Sequence, residues 1–366
     1  MRKIYNYILD EKNHHFIIPA ISIILGFLVG SIIMMFSGLN PLDMFSSIVR
    51  GVFGITLSKI GTGKAIFNAR YLGEYFVFAM PIILTGLSVA FAFRTGLFNI
   101  GAEGQMIVGS FASVAVAILV PLPSILLLPL VIIAGTLAGA IWGFIPGILK
   151  AKYNVHEVVV TIMMNYIALF MTNYYLKKLP GSTNSKTVAL VKGATLKSDF
   201  LSDITNHSRL NWGFILVIIA VFSFWYIIEK TTFGYELKAV GYNPDAAKYA
   251  GIKVNSRAAL SMVIAGAYAG LAGTVLAIGT FGYGRVLAHA EGYGFTGIAV
   301  ALVGGNTALG SLLGGLLFGS LNAAQPIMQS SGIPKDIAVI ISSMIILFIA
   351  MQNGIKMLLE RLKGGK

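Results

Sequence analysis

The chain has 366 residues, enough for two soluble domains, yet 56% are hydrophobic and only 11% are charged, where a soluble globular protein carries about 25%. Too few polar groups are present to cover a water-facing surface of that size, which excludes soluble enzymes and disordered chains together. The absence of cysteine removes disulfides, thiolate nucleophiles and cysteine metal sites, and the net charge of +13 is scattered through short loops, so it reads as membrane-surface charge and not as affinity for nucleic acid.

In chain order, a polar stretch over 1–15 with Arg2, Lys3 and Lys12 precedes an apolar run over 16–36. That run can cross roughly 30 Å of hydrocarbon and no small-residue cleavage site follows it, so a retained first span is expected in preference to a cleaved leader. Over 43–60, Met44, Phe45, Ile48, Val49 and Phe53 recur at helical spacing beside Arg50 and Lys59, which suits a helix on the membrane interface or a packed loop helix. Further membrane-length runs begin near Tyr75, Leu97, Ser124, Glu157, Trp212, Ala258, Tyr293, Leu309 and Ile337.

The expected fold is therefore an all-α, polytopic membrane helix bundle of about ten spans in a single transmembrane domain over 1–366. Within it, 1–74 form the first span and interfacial segment, 75–211 a first half with an external loop, and 212–366 a second part with a polar loop over 229–257. Two runs are weaker than the rest. Residues 97–120 are interrupted by Asn99, Gly101, Glu103, Gly104 and Gln105, and 293–304 are short and bounded by glycine. The 27 Lys and Arg residues divide with only a slight excess on the side of the termini, so charge alone decides little about orientation.

Many of the 42 glycines fall inside apolar runs at four-residue spacing: Gly26 and Gly30; Gly135, Gly139, Gly143 and Gly147; Gly266 and Gly270; Gly315 and Gly319. Such rows let helix backbones approach closely where burial from water no longer drives association, and they indicate a compact bundle that is possible as a dimer.

Two apparent nucleotide motifs fail. In Ser58-Lys59-Ile60-Gly61-Thr62-Gly63-Lys64-Ala65 the first required glycine is Ser58, and Ala65 stands where a magnesium-binding hydroxyl is needed. Gly292-Tyr293-Gly294-Phe295-Thr296-Gly297 matches a dinucleotide fingerprint by letters, but no strand precedes it. ATP, if used, must be hydrolysed by a separate subunit.

The most informative stretch runs Arg94-Thr95-Gly96-Leu97-Phe98-Asn99-Ile100-Gly101-Ala102-Glu103-Gly104-Gln105, because it puts a cation, a carboxylate and two amides at apparent membrane depth. Four-residue spacing places Asn99 and Glu103 on one helical face, and Gly101 and Gly104 weaken the helix around Glu103, so a break lining a cavity is expected. The bland alternative has Arg94 reaching the interface and Glu103 satisfied by an inter-helix hydrogen bond. Thr296-Gly297 opens a second glycine-interrupted run, and with Thr95-Gly96 it marks corresponding points of an inverted internal repeat. Asn165 and Tyr166, then Asn322 and Gln325 before Pro326, are further polar or aromatic residues inside spans; amides there hold helices together more often than they touch a solute. His14, His15, His156, His207 and His289 have no second ligand at metal spacing.

In Gly241-Tyr242-Asn243-Pro244-Asp245-Ala246-Ala247-Lys248-Tyr249-Ala250-Gly251-Ile252, Asn243 suits an N-cap, Pro244 the first helical position and Gly251 a stop. A helix of about seven residues is marginal alone. Ala246, Ala247 and Ala250 beside Tyr249 make a slim face able to dock on another protein, or equally to pack on its own bundle.

The cluster from Thr95 to Gln105 with Gly109, this loop, and Gly294-Phe295-Thr296-Gly297-Ile298-Ala299-Val300-Ala301-Leu302 resemble membrane permease subunits of bacterial ATP-binding-cassette importers, in the branch serving branched-chain amino acids, ribose-like sugars and nucleosides. The resemblance covers most of the chain from Tyr75 to Gly354, and Asn99 to Gln105 look most like the nucleoside permeases that work with basic-membrane-protein lipoproteins. It implies a ten-span-type bundle of two inverted halves in the bacterial plasma membrane with both termini cytoplasmic, no catalysis of its own and no cofactor or metal. The implied partners are an ATPase subunit, an extracytoplasmic solute-binding lipoprotein, a second permease copy or paralogue, and membrane lipid, but no nucleic acid. Asn243, Pro244, Asp245, Ala246, Ala247, Tyr249 and Gly251 would form the helix seated on the ATPase. For a nucleoside pathway, Asn99, Glu103, Gln105, Asn165 and Asn322 are the candidate hydrogen-bonding groups and Phe98 and Tyr166 the candidate stacking partners. Simple sugars such as ribose or galactose are the alternative solute, and an ion-driven transporter using Glu103 is the alternative class.

Overall fold

The structure, a computed structural model, describes residues 14–57, 67–351 and 354–357. The charged N-terminal stretch over 1–13 and the phosphate-loop look-alike over 58–65 lie outside the described residues. Among the described residues no strand forms, apart from three isolated bridges. The helices are α1 His14–Phe36, α2 Pro41–Phe53, α3 Ala69–Phe93, α4 Ala102–Leu119, α5 Ser124–Tyr153, α6 Glu157–Leu176, α7 Asp199–Ile204, α8 Gly213–Lys230, α9 Thr232–Tyr242, α10 Pro244–Tyr249, α11 Val254–Thr274, α12 Tyr293–Val303, α13 Ala308–Ser330 and α14 Asp336–Ala350. A π-helical turn, Val275–Phe281, extends α11.

Among the described residues seven helices are long and apolar enough to cross a membrane: α1, α3, α4, α5, α6, α8 and α11 with its π turn. Helices α12 and α14 are shorter but apolar, and α13 spans 23 residues diluted by glycine, serine and amides. Every predicted apolar run thus becomes a helix, and the two weak ones, α4 and α12, prove special.

Local chemistry sets several boundaries. Asn40 accepts from the Leu42 N–H and is followed by Pro41, while Gly54 closes α2 in the left-handed region. Met44, Ser47 and Gly51 are the buried face of α2, and Gly51 lies against the Ala323–Ala324 backbone of α13, so this helix is packed on the bundle as well as amphipathic.

The glycine rows work inside one chain. A Cβ on Gly139 would stand 2.4 Å from the Gly266 carbonyl oxygen and 2.5 Å from the Gly270 Cα, and one on Gly109 would stand 2.5 Å from that same Cα. Helices α4, α5 and α11 therefore meet backbone to backbone, the arrangement that favours association in lipid through dispersion contacts. Gly26 and Gly30 receive Ile345 and Ile341, which runs α1 antiparallel to α14, and Gly315 and Gly319 receive Ile83 and Ala79 of α3.

The packing shows the two halves. Helix α3 packs on α13 as α11 packs on α5; α3 meets α12 as α11 meets α4; and α4 touches α6 as α12 touches α14. Exchanging α3–α6 for α11–α14 maps these pairs onto one another, with α7 to α10 between the halves. One face carries α9, α10 and the ends of α3 and α8, the last two joined by the Arg94–Glu229 pair at 2.6 Å and α9 joined to them by Lys238–Glu229 at 2.8 Å. The opposite face carries the long connection over 177–211, tied to the start of α3 by Arg209–Glu74 at 2.6 Å and to the end of α11 by the Leu190 N–H on the Gly282 carbonyl.

Candidate functional site: two broken helices that meet at Glu103

Helix α3 ends on the α10 face, and residues 94–101 are non-helical before α4 begins at Ala102. The break lies ahead of Glu103, not around it: Gly101 is the N-cap and Gly104 already belongs to the helix. Asn99 and Glu103 consequently do not share a helical face. Asn99 sits in the break, where helical spacing has no meaning, and the two side chains take different partners.

Asn99 and Gln105 pair through both amides, at 2.9 and 3.2 Å, and Asn99 also donates to the Ser88 hydroxyl and accepts from the Gly101 N–H. Asn165 of α6 accepts from the Gly104 N–H at 2.8 Å and donates to the Ile100 carbonyl at 3.0 Å. These side chains satisfy backbone groups that the break removes from helical pairing, an obligation in hydrocarbon where water cannot serve.

Glu103 is fully buried, and its carboxylate reaches across to the second broken segment. Oε1 accepts from the Gly292 N–H at 2.9 Å and Oε2 from the Gly294 N–H at 2.5 Å. Both groups belong to the start of α12, where orphan donors and the positive helix end favour a carboxylate. Glu103 itself stands in the first turn of α4, so the two helix N-termini converge on one side chain. Gly294 is required there, since its Cβ would fall 2.3 Å from the Glu103 nitrogen. From this point α4 runs to the face of the long connection. Helix α12 runs to the α10 face, where Val303, Gly304 and Thr307 border a cavity of about 800 Å³ with Trp225 and Glu229. Two helices diverging from a shared centre toward opposite faces are what an inverted repeat with broken spans produces.

The second break spans 282–292, not the Thr296-Gly297 pair taken as its marker. Thr296 and Gly297 lie within α12, with Gly297 against Thr85 of α3. The loop before α12 is zipped to the long connection: the Thr187 N–H donates to the Gly284 carbonyl and the Val286 N–H to the Ser185 carbonyl, while Asn173 exchanges two hydrogen bonds with Leu287.

Of the remaining candidates, Phe98 packs edge-on against Phe93, with ring centres 5.0 Å apart. Tyr166 turns away from its neighbour Asn165 and is 60% exposed on the outer side of α6 beside Met163 and Phe170. Asn322 accepts from Gln325 at 3.0 Å on α13, so its amide oxygen is engaged within its own helix and not by the Glu103 centre. The structure thus gathers Asn99, Glu103, Gln105 and Asn165 and leaves Tyr166 and Asn322 apart. Ser88 and Ser261 join the site without having been singled out; their only signal was a small hydroxyl inside an otherwise apolar run.

The polar loop folds as expected. Asn243 accepts from the Asp245 and Ala246 N–H groups at 3.0 Å, Pro244 is the first helical residue and Gly251 adopts φ +82°. Ala247 packs inward, whereas Tyr242 and Tyr249 are 90% and 96% exposed, so α10 presents a knob with a groove of about 510 Å³ beside it.

Apolar spans, two broken helices meeting at a buried carboxylate and a protruding capped helix together define a polytopic α-helical membrane protein built for transport. The chain belongs to the branched-chain amino acid transport system permease component family, whose profile matches residues 71–350. It is 46% identical to the guanosine ABC transporter permease protein NupP of Bacillus subtilis, over 96% of this chain and 98% of that one. It is 40% identical to the nucleoside ABC transporter permease protein NupB of Lactococcus lactis, over 98% and 97% of the two chains. The glucose ABC transporter permease protein TsgB13 of Haloferax volcanii is 31% identical, over 90% of this chain and 86% of its own.

Proposed function

We propose that this permease forms the membrane pathway of a nucleoside importer in the bacterial plasma membrane, driven by separate ATPase subunits. The observation that carries the solute is the near full-length similarity to two nucleoside permeases. ATPase docking is assigned to α10, whose Asn243 cap and exposed Tyr249 make a preformed knob. That assignment puts the α10 face and both chain termini in the cytoplasm. A solute-binding lipoprotein delivers solute to the opposite face, and a second copy or a paralogue completes the pathway. The permease performs no covalent chemistry.

A nucleoside offers hydroxyls, a base edge and a base face but little charge, so amides and rings suit its path. Phe98, Asn99, Glu103, Gln105 and Asn165 are the proposed lining, with Tyr166 and Asn322 proposed only as outlying contacts because they stand apart from that cluster. In the arrangement described here Glu103 holds the two broken segments together, and passage requires that this bridge part as the ATPases close.

The decisive test is a mild-detergent pull-down of tagged protein from native membranes, joined to uptake of labelled guanosine with competitors. An ATPase and a lipoprotein should be recovered, and deleting residues 244–251 should lose the ATPase while leaving the bundle folded. Nucleosides should compete for uptake and glucose should not. A protein that runs alone overturns the importer assignment; competition by glucose and not by nucleosides moves the solute to simple sugars, the reading that the glucose permease relative favours.

A further inference from the structure

The break after α3 is not a free hinge. Within four consecutive residues it is tied to every element that flanks α10. Arg94 pairs with Glu229 at the end of α8 at 2.6 Å, and Glu229 also holds Lys238 of α9 at 2.8 Å. The buried Thr95 hydroxyl donates to the buried Ser261 hydroxyl of α11 at 2.7 Å. Gly96, at φ +74°, lies against Gly241 of α9, where an added Cβ would stand 2.4 Å from the Arg94 carbonyl oxygen and 3.1 Å from the Gly96 nitrogen. Leu97 is buried with Ala258, Met262 and Ala265 of α11.

Helix α9 leads into α10 without slack, since the Asn243 N–H still bonds the Ala239 carbonyl and the Ala247 N–H bonds the Asn243 carbonyl. On the other side, the Asn99–Gln105 pair and the Asn165 bridge stiffen the segment from Gly96 to Glu103. We infer that Arg94–Leu97 act as a clasp that carries displacement of the 230–257 loop to Glu103, with Gly241 and Thr95 as positioning residues for the transport step. This rests on the importer reading above and adds the route by which the docked helix reaches the centre of the membrane. Contiguous packing alone does not establish coupling, so the clasp must be perturbed in opposite senses.

Two variants in the reconstituted complex with its ATPase and binding protein do so. Gly241→Ala inserts a methyl against the Arg94 backbone, which cannot yield as a flexible side chain does. It should retain ATPase binding and hydrolysis while solute imported per ATP falls roughly tenfold, within the range seen for changes along coupled elements. The paired change Thr95→Cys with Ser261→Cys, in a chain that has no native cysteine, locks the neighbouring contact of the clasp with α11. Because a clasp moves as one body, the oxidised pair should import within about twofold of the reduced pair, well short of the roughly tenfold fall expected of Gly241→Ala. An unchanged import-to-ATP ratio in Gly241→Ala, or loss of import on oxidation of the pair, overturns the clasp. If Gly241→Ala fails to accumulate, Arg94→Gln, which breaks the pair with Glu229, takes its place and should show the same fall in solute imported per ATP; an unchanged ratio there overturns the clasp. Failure of the unmodified chain to bind any ATPase overturns the importer reading instead, so the two failures are distinct.

Discussion

At the residue scale, Glu103 shows why a buried carboxylate in a membrane protein is not automatically a ligand. Its oxygens are occupied by the Gly292 and Gly294 N–H groups, and each orphaned donor left by truncation costs roughly 1–3 kcal/mol. Glu103→Ala should therefore impair uptake while the protein still reaches the membrane and still binds its ATPase; normal uptake by a well-expressed variant would remove Glu103 from the transport step. Glycine at the α4–α11 contact has a different role. Gly109→Ala drives a methyl into the Gly270 backbone and should lower thermal stability in detergent, by about 1–3 kcal/mol as for other overpacking. Gly332→Ala, with nothing within 4 Å of the added methyl, carries only the strain of φ +79°, on the order of 1 kcal/mol. Equal melting shifts for the two would refute the backbone-contact account of the glycine rows.

At the element scale, α10 has six residues and cannot form alone, so its cap carries unusual weight. Asn243→Ala removes the acceptor for two N–H groups and should cost about 1 kcal/mol of local helix stability. ATPase retention in detergent should weaken while the melting of the bundle is unchanged, and Asn243→Asp should restore binding. The helices α4 and α12 show how far pattern reading reaches. Their polar interruptions marked them as unlike the other spans, and each follows a break in the chain. The places of the breaks were misread because helical spacing was applied through residues 94–101, where the chain is not helical, and because Thr296-Gly297 looked like Thr95-Gly96 in letters alone. Which N–H groups a break exposes depends on where the partner helix starts, and no local pattern carries that.

At the scale of the whole molecule, the contacts set α10 and the long connection on opposite faces. Single cysteines at Tyr249 and Val191, both exposed, should react with an impermeant maleimide from opposite sides of the membrane, Tyr249 from the cytoplasm; labelling from one side would break the topology. Composition and apolar run length determined by themselves that the chain is a polytopic helical membrane protein, because in hydrocarbon a helix satisfies the backbone of each such run within itself. The Asn243 to Gly251 cap pattern likewise determined α10, since capping is local chemistry. Only the tertiary structure decided that the glycine rows close α4, α5 and α11 within one chain, that Arg94 belongs to Glu229, and that Glu103 spans two helix N-termini. The partners of Arg94 and Glu103 lie more than a hundred residues away in sequence, and their pairing is set by how the two halves interlock, not by the neighbours of any one residue.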